Sequence, residues 1–196
     1  MTVSGNGRDH LAHMTVEEAF PAAPLAPGAR LVTGVAAVTA VGGAVLFALN
    51  QERGLTVLIG APTLFVALLA LPLAFSPSGY AVGRGELAVL RRAARPLLFP
   101  LGSLAAARPT AMPRSARLLG SAGLFGWWGR FSNAGWGRFK AYATDRRRGV
   151  LLEWPGFKLF VSPEDPEALC RAVLARRRPR GRPGPGGKGT GGGRRP

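Results

Sequence analysis

Cysteine occurs once in these 196 residues, histidine twice and lysine three times, and each scarcity excludes a class of chemistry. A lone Cys170 cannot form an intramolecular disulfide, and it leaves no Cys-based zinc site to assemble. His10 and His13 stand three apart in a polar N-terminal stretch, two ligands without further partners, so no metal site is expected. From residue 76 onward there is no histidine, and the patterns G-x-S-x-G, G-x-x-x-x-G-K-S/T and H-E-x-x-H are missing from the whole chain. The expectation is a non-enzymatic protein with no catalytic residues and no cofactor. Acidic residues are also few, 10 against 26 Lys+Arg, and the net charge of +16 first suggests a nucleic-acid partner. What fills the chain instead is Ala, Gly, Arg and Pro, which together make half of it. These four share GC-rich codon families, so part of the arginine excess reflects composition rather than a partner.

The basic excess is unevenly placed. Residues 1–30 carry two basic and three acidic side chains, and between 31 and 75 the only charges are Glu52 and Arg53. Residues 76–175 hold 15 basic and 6 acidic side chains, and 176–196 hold eight basic and no acidic ones. The uncharged gap contains two apolar runs, 31–49 and 55–75, joined by Asn50-Gln51-Glu52-Arg53-Gly54. At about 1.5 Å per residue each reaches roughly 30 Å, the thickness of a hydrocarbon core. They read as a transmembrane hairpin. A pair of helices apolar on every face would otherwise need a large surrounding domain, which the remaining residues cannot supply. The first run begins only after 30 residues with a net acidic leader, which argues against a cleaved signal peptide. Arg30 before the first span, and Arg84, Arg91, Arg92 and Arg95 after the second, outweigh Arg53 in the loop. The positive-inside rule then places both termini in the cytoplasm of a two-span protein of the cell membrane. Ala36, Ala40, Ala44 and Ala48 recur every four residues, a stripe that would let another helix approach closely or that alanine-rich composition would produce unaided. Pro62 and Pro72 interrupt the second run. No ionisable residue lies within either run, which argues against an ion or proton pathway.

Beyond Ser76 the pattern turns to short strand-like pieces: Leu87–Arg92 and Arg138–Thr144, which alternate, then Val150–Trp154 and Phe157–Ser162. Asp145 to Gly149 is expected to close a hairpin and Pro155-Gly156 to form a type II turn, giving three consecutive antiparallel strands. Asp165 suits a helix N-cap and Pro166 the first helical position, with Leu169, Cys170, Val173 and Leu174 on the apolar stripe that follows. Cys170 in that stripe is expected to be a core thiol. The fold class is therefore α+β: a two-helix transmembrane hairpin followed by an antiparallel β-barrel or sandwich with one C-terminal amphipathic helix. The divisions are 1–30 without structure, 31–75 hairpin, 76–175 β-domain, and 176–196 a disordered Arg/Gly/Pro-rich tail.

Several motifs carry a resemblance. They are Gly79-Tyr80, Pro100-Leu101, the run Gly123-Leu-Phe-Gly-Trp-Trp-Gly-Arg-Phe131, Gly137-Arg-Phe-Lys-Ala-Tyr-Ala-Thr-Asp145, and Val161-Ser-Pro-Glu-Asp-Pro-Glu167. Over residues 31–175 the chain resembles bacterial membrane proteins with two transmembrane helices followed by a bacterial pleckstrin-homology (PH) domain. The resemblance implies a PH-like barrel on the cytoplasmic side and brings no catalytic residues. No headgroup-binding motif of eukaryotic PH domains matches positions here.

The segment Gly120–Gly137 holds three of the four tryptophans and has two readings. One is a long connection whose aromatics cap the barrel; the other is a loop at the lipid headgroups, with Trp127, Trp128 and Phe131 at the interface and Arg130 and Arg138 on phosphates. The basic tail is suited to an anionic leaflet, or else to RNA. The function expected is a membrane-held binding or scaffolding module for anionic lipids or a membrane-protein partner. The alternatives are a membrane-tethered nucleic-acid-binding protein and an accessory subunit of a membrane complex.

Overall fold

Apolar alternation and regularly spaced glycines in the C-terminal two-thirds produce strands, and ten of them form in the residues that the computed structural model describes, 16–49 and 69–177. Strands β1 (Val16–Pro21), β2 (Pro77–Gly83), β3 (Glu86–Arg91) and β4 (Leu97–Pro100) form one antiparallel sheet in that order. Strands β5 (Ala106–Thr110), β6 (Ala116–Gly123), β7 (Gly126–Asn133), β8 (Gly137–Ala143), β9 (Gly149–Trp154) and β10 (Phe157–Val161) form a second, in the order β5-β9-β10-β8-β7-β6. Helix α1 (Pro27–Leu49) follows β1, and helix α2 (Pro166–Ala175) ends the described chain. Asp165 caps α2 by accepting from the amide of Ala168 at 3.0 Å, with Pro166 opening the helix as its sequence predicts.

The main core lies between the sheets and under α2. Tyr80, Val82, Leu87 and Val89 from the first sheet meet Val150, Leu152, Leu159 and Val161 from the second, and Leu169, Cys170 and Val173 of α2 close one side. Cys170 is buried, as its place in the apolar stripe predicts. A second, smaller core of Met112, Phe131, Phe139, Ala141, Ala143 and Phe160 covers the opposite face of the six-stranded sheet.

Three expectations are corrected, and a fourth falls partly outside the described residues. The sheets do not close into a barrel: β1, β4, β5 and β6 remain edges. Pro109 removes a backbone donor from β5, and a bulge at Leu118 breaks the ladder of β6, so these edges do not stitch. Residues 145–149 do not close a hairpin. β10 lies between β8 and β9, antiparallel to β9 but parallel to β8. Val150 to Leu152 are buried on both faces, so β9 is a central strand and pairs on both sides. Gly149 serves this insertion by its lack of bulk, since a side chain there would run into the Phe160 ring and the Val161 carbonyl. The Pro155-Gly156 turn does join β9 to β10, with Gly156 at φ 90°. Within 1–30, residues 16–21 are strand β1, because their backbone completes the edge of β2 and Glu17 pairs with Arg176 at 2.8 Å and Arg84 at 3.1 Å. Those two guanidinium groups, Arg176 foremost, hold the Glu17 carboxyl below its usual range. Finally, one helix among the described residues is long and apolar enough to cross a membrane, at Pro27–Leu46, and only 11% of its most apolar stretch is buried in the protein. The second run of the expected hairpin lies outside the described residues except for 69–75, which are helical and include Pro72. The tail lies outside them beyond residue 177.

Candidate functional site

Helix α1 leaves the domain without a free linker. Ala22 bridges to Pro163, the amide of Ala23 donates to the Ser162 carbonyl at 2.9 Å, and that of Ala26 to the Thr144 carbonyl at 3.2 Å. Behind this strap lies a buried polar cluster. Ser162 Oγ accepts from the amide of Thr144 at 2.8 Å, the amide of Ser162 donates to the Tyr80 hydroxyl at 3.0 Å, and that hydroxyl donates to the Tyr142 carbonyl at 2.7 Å. The Tyr80 hydroxyl thus bonds the main chain at Tyr142 and at Ser162, so one side chain ties β2 to β8 and to the end of β10 where the strap crosses them. Burial pushes its phenol up to about 12.

The glycine-aromatic segment is no long connection. It is the end of β6 and all of β7, joined by a two-residue tip, Leu124-Phe125. Gly120 and Gly129 face each other across the ladder at φ 110° and 120°, and a Cβ on either would strike the backbone of the other strand. The tip lies against α1. Phe125, at φ 55°, donates its amide to Thr33 Oγ1 at 3.0 Å, and Val32 lies beside Gly123. Three ladder pairs in from the tip, the same hairpin meets the helical residues 69–75, where Phe75 stacks on Trp128 at 5.6 Å between ring centroids. One hairpin thus touches both apolar helical segments.

The residues expected at an interface fall on opposite faces of the sheet. Phe131 is buried in the smaller core, stacked on Phe139 at 5.9 Å, and Trp127 packs against that core. Trp128, Arg130 and Arg138 lie on the face turned toward the first sheet, opposite Tyr142, Lys140 and Ser132 respectively. Trp128 and Tyr142 lie nearest the start of α1; Arg130 and Lys140 are one strand step behind, about 7 Å, and Arg138 one step further.

This inner face also gathers residues that the sequence did not single out. Arg91, at the end of β3, holds its guanidinium 5.3 Å over the Phe75 ring and donates from Nε to the Arg95 carbonyl at 2.7 Å. Lys140 Nζ lies 5.9 Å over Phe99. Burial raises the Tyr142 phenol while Arg91 and Arg130 pull it down, so both cations act on that hydroxyl. Burial likewise lowers Arg91. The carboxylates that form ion pairs among the described residues are Glu17, Glu18 and Glu153, and they serve Arg84, Arg176, Arg108 and Lys158. Arg91, Arg130 and Lys140 have no acidic partner there. The alternation Lys140, Tyr142, Thr144 along β8 was the one sequence signal for this face; the approach of β3 was not visible.

Residues 100–177 match the family described as Bacterial PH domain. The matched segment runs from the end of β4 through β5 to β10 and α2, so the similarity covers the whole six-stranded sheet and its capping helix. Strands β1 to β3 and helix α1 lie ahead of it. Searches of curated proteins and of solved structures return no match.

Proposed function

We propose that this chain is an integral membrane protein in which α1 and the run 55–75 are two spans with both termini cytoplasmic. Its PH-like domain acts without catalysis, as a binding or scaffolding module for anionic lipids and for a membrane-protein partner. The observation that supports this best is the bond from Phe125 to Thr33, two residues into the apolar run that begins at Leu31. With α1 in a bilayer, the tip of the β6–β7 hairpin rests at the polar boundary and the domain lies against the surface. The same arrangement puts Trp128 and Phe75 at headgroup level, where aromatic rings are favoured. A domain fastened in this way presents one fixed face to lipid and another to the cytoplasm.

Single cysteines introduced at Gln51 and at Arg95, in a Cys170→Ser background, test the topology. Labelling of intact cells with a membrane-impermeant maleimide is expected at position 51 and not at position 95. Labelling at 95 alone, or release of the chain by alkaline carbonate, would overturn the reading.

A further inference from the structure

We propose that Arg91, Arg130 and Lys140, arranged around Tyr142 and Trp128 on the inner face of β7–β8, form a binding site for a phosphate-type anion. Three observations carry it. Cations from two sheets converge: Arg130 and Lys140 are directly opposed on β7 and β8, and Arg91, from the end of β3, lies over the Phe75 ring that stacks on Trp128. Like charges directly opposed across a ladder repel, so the arrangement lacks a counter-charge that the described residues do not supply. Arg91 is half-buried and its fork is held by the Arg95 carbonyl, so little side-chain freedom is lost when an anion binds.

The third observation is an unsatisfied donor. The indole Nε1 of Trp128, next to Arg130 on this floor, is buried and has no hydrogen-bond partner among the described residues. Buried donors are rarely left unpaired, and a phosphate oxygen is an acceptor of the right kind for an N–H set among guanidinium groups. The anion fits a phospholipid headgroup or a free phosphate equally in chemistry. Arg138 lies a strand step further along β8 and is outside this site.

The site deepens the membrane reading but does not depend on it for its chemistry, and one experiment separates the two. The full chain in dodecyl maltoside is titrated with dihexanoylphosphatidylglycerol, with dihexanoylphosphatidylcholine and with inorganic phosphate, binding being followed by calorimetry. Saturable binding of one anion per chain is expected. Arg130→Gln/Lys140→Gln should weaken it at least tenfold, Arg130→Lys/Lys140→Arg should keep it within threefold, and Arg147→Gln/Arg148→Gln, of equal charge change in the exposed loop after β8, should leave it within twofold. Tighter binding of phosphatidylglycerol than of phosphate identifies a lipid source, and equal binding a free anion; either supports the site. Absence of binding by both anions, or equal loss in the loop variant, overturns it. If alkaline carbonate releases the chain while Arg130→Gln/Lys140→Gln still abolishes phosphate binding, the membrane reading fails and the site stands.

Discussion

The main-chain amide of Phe125 donates to the hydroxyl of Thr33 across 92 positions of sequence, joining a β-hairpin tip to the second turn of an apolar helix. Phe125 is the one non-glycine residue with positive φ among the described residues, a conformation that needs support from its surroundings. Thr33→Val keeps the shape of the side chain and removes the acceptor. Loss of about 1–2 kcal/mol of stability is expected, measured by thermal unfolding in detergent, together with faster proteolysis at 124–125.

Midway along the hairpin, Gly120→Ala and Gly129→Ala are each expected to destabilise the protein by about 2 kcal/mol or more, because both combine a positive φ with a backbone collision. Their effects should be non-additive, since each Cβ disturbs the other's strand. Gly28→Ala is the control. It lies near the start of α1 with nothing within 4 Å of the added methyl, and should be neutral or stabilising by up to about 1 kcal/mol.

Alkaline pH should weaken the fold through Tyr80. Its phenol titrates at about 12 when folded against an ordinary 10.0, so the folded state favours the neutral form. That stability is complete below pH 10 and falls as pH rises between 10 and 12, because the unfolded chain releases its proton first. At about 1.4 kcal/mol per pH unit the loss is on the order of 3 kcal/mol. The other tyrosine, Tyr142, is also raised by burial, so absorbance at 295 nm should show no tyrosinate with a midpoint at 10 in the folded protein. Tyr80→Phe should abolish the Tyr80 part of the pH dependence and cost about 1–3 kcal/mol at neutral pH, because the amide of Ser162 is left buried without an acceptor.

Cys170 should be inert to a thiol reagent in the folded protein and react at the unfolding rate or after addition of denaturant. Burial, and then the nearby Glu167, raise its thiol, so little thiolate is present. Rapid modification under native conditions would show that α2 is not seated on the sheet.

Local signals are legible in the residues alone: alternation in β3 and β8, the strand-like pieces that become β9 and β10, the Pro-Gly turn, and the Asp165-Pro166 start of α2. Partner choice is not. The apolar run Val150-Leu151-Leu152 identifies a strand buried on both faces, but nothing in it says that β10 rather than β8 lies alongside. β1 was missed because four of its first five residues are exposed and its strength comes from the free edge of β2, far along the chain. Among the expected interface residues, alternation along β7 alone separates Phe131 and Trp127 from Trp128 and Arg130, a division the sequence reading overlooked. Arg91 and Lys140 escaped notice because a cation gains its meaning here from a second sheet.

The strap between β1 and α1 also sets an order of assembly. Its partners Ser162, Pro163 and Glu164 belong to the turn that follows the last strand, so although β1 can pair with β2 early, the strap lacks most of its partners until almost the whole described chain has been synthesised. Helix α1 emerges from the ribosome more than 100 residues earlier, long before β10 can enter between β8 and β9. Closure of the strap therefore comes late, after the last strand has been synthesised.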